Sequence, residues 1–142
     1  MAQAQAISQG DGVIVAVPDT GVDPHPDLSR NLLKGTDILA GGSADGQHDL
    51  NSHGTSMAGL IAAHGQGGTL GALGIAPKSK ILPIRAAAAD NFGEADDLAA
   101  AVEYAIISHA QVISISSGGA STPDLCAQST PPLRRTLLSW QQ

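Results

Sequence analysis

The sequence predicts an α/β protein, a parallel sheet with flanking helices that is incomplete toward its C-terminal end. Three observations carry that prediction. Val13 to Val17 is an unbroken apolar, mostly β-branched run, as in a strand buried on both faces. Glu94 to Ala110 has helical periodicity. Val112 to Ser116 follows at once as a second buried-type strand. Strands and helices alternating in this way need crossover connections, which lay the strands parallel.

The elements follow in order. After the first strand, Gly21 and the cluster Asp23-Pro24-His25-Pro26-Asp27 force a loop. Thr36 to Leu39 reads as a short strand before the Gly41-Gly42-Ser43 loop. Asn51 or Ser52 is the expected N-cap of a helix. Met57, Leu60, Ile61 and His64 are spaced as one face of that helix. Five glycines between Gly65 and Gly74 then end it. Lys80 to Arg85 reads as a strand in which Pro83 predicts a bulge or an edge position. Asp90 to Gly93 is a loop. The next helix has Glu94, Asp96 and Asp97 at its positive end. Leu98, Val102, Ala105 and Ile106 form its apolar stripe.

Beyond Thr122 the pattern breaks at Pro123, Pro131, Pro132 and Arg134-Arg135. We therefore expect residues 1–122 to be the folded portion and 123–142 an irregular tail with no place in the sheet. On that expectation the sheet stops at Val112–Ser116 with an open edge.

Composition narrows the function. The 142 residues suit one domain, 42% of them hydrophobic and only 2% aromatic, so Ala, Ile, Leu and Val must build the core. The net charge is −6 and the seven Lys and Arg are scattered, which leaves no basic patch for nucleic acid. One cysteine, Cys126, excludes an internal disulfide. No apolar run is long enough to span a membrane. Met1 to Gly10 lacks the basic and apolar regions of an export signal, so the compartment is left open.

The chemistry sits at two places 34 positions apart, Asp19-Thr20-Gly21 and Ser52-His53-Gly54-Thr55. A carboxylate just past a buried strand suits a group that orients an imidazole and stabilises its protonated form. Strand ends of an open α/β sheet are also where ligands bind. Gly54, beside His53, lets another backbone approach closely. Ser56 lies one helical turn from His53, with Cβ atoms about 5–6 Å apart. We read it as an ordinary helix residue. His48 and His64 with Asp49 lack the further partners of a metal site, and no metal or other cofactor is expected.

Together these residues resemble the N-terminal part of the catalytic domain of subtilisin-like serine proteases. The matching segments are Val15 to Val22, His25 to Leu28, Ser52 to Gly59, Gly74 to Pro77 and Val112 to Gly119, in family order. The nearest subgroup is the mycosin-like proteases. The resemblance implies a subtilisin-like three-layer fold, with Asp19 as orienting acid and His53 as general base. It implies that Ser116, Ser117 and Gly118 pair with an extended peptide substrate, with Asn91, Phe92 and Gly93 on the facing edge. The family is mostly secreted or displayed at the cell surface. Asp27 matches a position that binds calcium in many members, but the Gly65–Leu73 loop lacks the expected Asn ligands. Pro18 stands where the family has an aliphatic residue and removes a backbone donor beside Asp19.

The family's Gly-Thr-Ser nucleophile motif and its oxyanion Asn are not among these residues. Gly54-Thr55-Ser56 imitates the motif but is joined directly to the histidine. The expectation is a serine endopeptidase domain portion holding acid and base without the nucleophile, inactive as given. The alternatives are a peptide-binding module without chemistry and a truncated or frame-shifted product.

Overall fold

A β-branched run buried on both faces belongs in the middle of a sheet, and β1 (Ile14–Asp19) lies there. The computed structural model describes residues 2–68, 70–88, 93–116 and 136–139. A short helix α1 (Ala2–Ile7) precedes β1. There follow β2 (Thr36–Asp37), α2 (His53–Ala62), β3 (Lys80–Arg85), α3 (Ala95–Ile107), β4 (Val112–Ile115) and β5 (Thr136–Ser139). The strand order is β2-β3-β1-β4-β5, and every pairing is parallel.

The two faces of the sheet are built from alternate residues. Ala16, Leu82, Ile84 and Ile113 pack with Ala101, Val102 and Ala105 of α3. Val15, Val17 and Ile81 pack with Ala58 and Ala62 of α2, closed by Val22 and Leu28. The result is the expected three layers, with one helix on each face. The chain leaves β1 toward β3 and β2, and leaves β4 toward β5, so the strand order reverses between β1 and β4. Ligands of such sheets bind in the crevice at the carboxyl ends of the strands at that reversal.

Several expectations need correction. Of the expected face, Met57 and Ile61 pack against the core, but the fully buried positions of α2 are Gly54, Ala58 and Ala62, Leu60 is 62% exposed and His64 lies past the helix end. The helix start rests so close to the strand end that only glycine fits at position 54. Ser52 makes no side-chain cap and has a left-handed backbone, with φ of 69°. Asn51 Oδ1 instead accepts from His53 N at 2.9 Å. The strand expected at Thr36–Leu39 is shorter, Thr36–Asp37.

Pro83 causes neither a bulge nor an edge. In a parallel strand, alternate residues turn their polar groups to opposite neighbours. Ile81 N donates to Asn31 O on the β2 side, and Pro83 is in phase with it. Its nitrogen therefore faces chain that has not yet become β2, which pairs only with Ile84 and Arg85. Pro18 is placed in the same way. Asp19 O accepts from Ala86 N on the β3 side, whereas Ile14 O accepts from Gln111 N on the β4 side. Pro18 is in phase with Ile14, and β4 pairs with β1 only at Val15 and Ala16. No rung toward β3 is lost.

Within the segment expected to be irregular, Thr136–Ser139 takes a place in the sheet. Thr136–Ser139 pairs with Val112–Ile115 as β5, so β4 does not end the sheet. β5 supplies partners for the outer N–H and C=O groups of β4.

Candidate active site

Two loops meet at the carboxyl end of β1. Asp19 ends the strand with its carboxylate buried, and its side chain is on the α2 face with Val15 and Val17. His53 is the first residue of α2. Its Nδ1 lies 2.8 Å from Asp19 Oδ1. The imidazole is 32% exposed while the carboxylate is covered. Donation from Nδ1–H to Asp19 fixes one tautomer and leaves Nε2, on the open side of the ring, as a proton acceptor.

Gly54 explains how the helix comes so near. A Cβ there would run into the Gly21 carbonyl and sit 3.1 Å from Asp19 Oδ1. Gly54 N donates to Thr20 Oγ1 at 3.1 Å, which ties the first turn of α2 to the strand end.

Beneath the pair is a second buried carboxylate, Asp49. Its Oδ1 accepts from Thr20 Oγ1 at 2.7 Å, Ser52 N at 3.0 Å and Asn51 N at 3.2 Å. Its Oδ2 accepts from Thr55 N at 2.8 Å and Thr55 Oγ1 at 2.5 Å. Burial alone would raise the Asp49 carboxyl, but bonds from the Thr55 and Thr20 hydroxyls and from the Thr55 and Asn51 N–H groups outweigh it. The net effect holds it below its ordinary value. Asp49 caps α2 in place of Ser52 and joins that helix to β1. From the sequence, Asp49 reads only as a metal partner of His48 and His64. The signal available was an acid just before a helix start.

Pro18 does not displace Asp19, whose carboxylate meets both His53 and the Thr20 N–H, the latter at 2.7 Å. Ser56 is turned away from the imidazole, its hydroxyl donating to Ser52 O at 2.7 Å. Extending the β1–β4 register past Ala16 and Ile113 by three residues sets Ser116 level with Asp19. Gly93 passes against the end of β3, where an added Cβ would lie 2.6 Å from Ala86 O. Both belong to the same end of the sheet as the Asp–His pair. Ser117, Gly118, Asn91 and Phe92 lie outside the described residues.

Asp27 is engaged by protein donors. Its Oδ1 accepts from Gln66 Nε2 at 2.9 Å and its Oδ2 from Ala72 N at 2.7 Å. The Ala72 N–H, then Gln66, hold this carboxyl below its ordinary value. His64 Nδ1 is 2.6 Å from Gly65 O, and its Nε2 accepts from Arg30 N at 3.3 Å. His48 Nδ1 lies 4.0 Å from Asp23 Oδ1. Among the described residues no group of three or more His, Cys, Asp or Glu is arranged around a common metal position. None of their helices is long and apolar enough to cross a membrane.

Comparison with known proteins gives a consistent result. The family model described as the subtilase family matches residues 10–136. The thermophilic serine proteinase of Bacillus sp. (strain AK1) is 42% identical over 111 residues, 75% of this chain and 26% of that protein. Thermitase of Thermoactinomyces vulgaris is 38% identical over 118 residues, 82% of this chain and 41% of its own length. Among solved structures, the MycP3 protease from the type VII (ESX-3) secretion system superposes with a TM-score of 0.70 at 37% identity. That likeness covers 82% of this chain and 34% of the other. The chain thus spans well under half the length of these relatives.

Two predictions follow from the geometry. Gly54→Ala should destabilise the protein by about 1–3 kcal/mol through overpacking against Gly21 and Asp19. Its urea midpoint should fall, and an unchanged midpoint would contradict the close approach. Asp49 and Asp27 are both held below the ordinary 3.8 and so contribute to an acid limb. Their folded values are depressed, so the stability they add is complete above 3.8 and is lost as pH falls through the folded values. Urea midpoints should hold from neutral pH down to about 3.8 and drop below it, less steeply in Asp27→Asn.

Proposed function

The chain belongs to the subtilase family, and from that premise we propose that it supplies the acid and the base of a serine endopeptidase site. The observation that carries this is the 2.8 Å contact between buried Asp19 and part-exposed His53. In this reading His53 Nε2 removes the proton from a serine hydroxyl as its oxygen attacks a peptide carbonyl. Asp19 stabilises the imidazolium that forms, and His53 then gives the proton to the leaving amine. The substrate is an extended peptide or protein segment laid along Ser116–Gly118 and faced by Asn91–Gly93, held by main-chain hydrogen bonds.

The attacking hydroxyl is proposed to come from sequence outside these 142 residues. Ser56 is unsuited because its hydroxyl is turned back along α2. A relay with its serine removed loses on the order of 10⁶ in kcat, so this segment by itself hydrolyses no peptide at a measurable rate.

A fluorophosphonate probe tests the assignment. Presented alone, the chain should form no serine adduct, Ser56 included. Combined with a polypeptide that carries the remaining part of a subtilase domain, it should support labelling of that partner's serine and peptide cleavage. Both should vanish in His53→Ala. An adduct on the isolated chain, or cleavage indifferent to His53→Ala, would overturn the proposal. Peptide binding that persists with neither labelling nor cleavage would favour a non-catalytic peptide-binding module.

A further inference from the structure

Asp19 Oδ1 is the oxygen on which the imidazole depends, and it is crowded. The Thr20 N–H at 2.7 Å and His53 Nδ1 at 2.8 Å already converge on it. A third group is within reach, the Thr20 hydroxyl at 3.2 Å. Were that hydroxyl to donate to Asp19, it would compete with the histidine for the same oxygen.

The hydroxyl has one hydrogen and three oxygens to choose from. Asp49 Oδ1 is at 2.7 Å, Asn51 Oδ1 at 3.1 Å and Asp19 Oδ1 at 3.2 Å. A hydroxyl bonded to a carboxylate sits at about 2.5–2.7 Å, so the Asp49 contact is the donated bond. At 3.2 Å the Asp19 contact is longer than O–H···O bonds run. The Thr20 oxygen meanwhile accepts from Gly54 N, which holds it in place at the helix start. Thr20 is fully buried, so no water competes for its hydrogen.

We propose that Asp49 is a positioning residue that draws the Thr20 hydroxyl hydrogen away from Asp19, reserving Asp19 Oδ1 for His53. It acts through Thr20 and touches neither the imidazole nor a substrate. The five donors converging on Asp49 keep its carboxylate fixed and ionised at neutral pH, so the hydrogen has a standing partner. Removing Asp49 leaves the hydroxyl a choice between Asn51 Oδ1, a neutral acceptor already bonded by His53 N, and the Asp19 carboxylate, and the charged acceptor forms the stronger bond. The inference rests on the Asp19–His53 pairing proposed above.

The readout is the His53 Nδ1 proton, which a hydrogen bond to a carboxylate moves far downfield in the NMR spectrum. The unaltered chain should show it. Asp49→Ala should lose it while the backbone amide spectrum stays dispersed, because the freed hydroxyl competes for Asp19. Thr20→Val, with no hydroxyl to compete, should retain it. The double variant Asp49→Ala, Thr20→Val should recover it. A merely structural role for Asp49 predicts the opposite, since the double variant would be more damaged than either single one. An unchanged resonance in folded Asp49→Ala, or no recovery in a folded double variant, overturns the inference. Should Asp49→Ala not fold, neutron diffraction on the unaltered protein decides. The Thr20 hydroxyl deuterium is expected on the line to Asp49 Oδ1, and finding it directed at Asp19 refutes the proposal. A missing resonance in the unaltered chain would instead strike the Asp19–His53 pairing itself, and this inference with it.

Discussion

The closeness of α2 to the carboxyl end of β1 is the constraint from which the site follows. Gly54 faces the Gly21 carbonyl with no room for a Cβ, and Ala58 and Ala62 continue that contact down the sheet. Larger side chains would move the helix axis outward, and His53 at its tip would move with it. The small-residue face has an energetic cost, because alanines bury less apolar area than leucine or isoleucine would. What it secures is a 2.8 Å contact between groups 34 residues apart in the chain.

Electrostatics then completes what packing begins. Two carboxylates, Asp19 and Asp49, lie buried on either side of Thr20. Buried carboxylates are tolerated when hydrogen bonds replace the lost water. Here the donors are the first turn of α2, the loop before it, and Thr20. The same bonds that satisfy Asp49 therefore tie the helix start to the strand end, so satisfaction of charge and alignment of the imidazole are one arrangement. A similar economy holds at Asp27, where Gln66 and the Ala72 N–H close the glycine-rich loop.

Much of this was legible in the residues. The β-branched runs placed β1 and β4, and Asp19-Thr20-Gly21 with His53-Gly54 placed the pair, because a carboxylate on a tight turn and a glycine beside a histidine are local signals. The buried face of α2 was not legible. Hydropathy gives weight to Leu60, which is exposed, whereas close approach selects Gly54 between the packed Met57 and Ile61 and the buried alanines. Asp49 was missed as an organiser since its key partner, Thr20, is 29 residues away. Pro83 misled because the cost of a missing N–H depends on which neighbour it faces, and that is a property of the assembled sheet. The β5 strand was hidden for a related reason. It is set by pairing with β4, far away in sequence, and no periodicity in 136–139 announces it.

The central claim is that the fold alone brings Asp19 and His53 into hydrogen-bond contact, and the tautomer of His53 tests it most directly. Long-range ¹⁵N–¹H correlation spectra of the neutral imidazole distinguish a proton on Nδ1 from one on Nε2. The account predicts a proton on Nδ1 in the unaltered chain, with that preference relaxed in Asp19→Ala. A His53 protonated on Nε2, or a tautomer indifferent to the loss of Asp19, would contradict it.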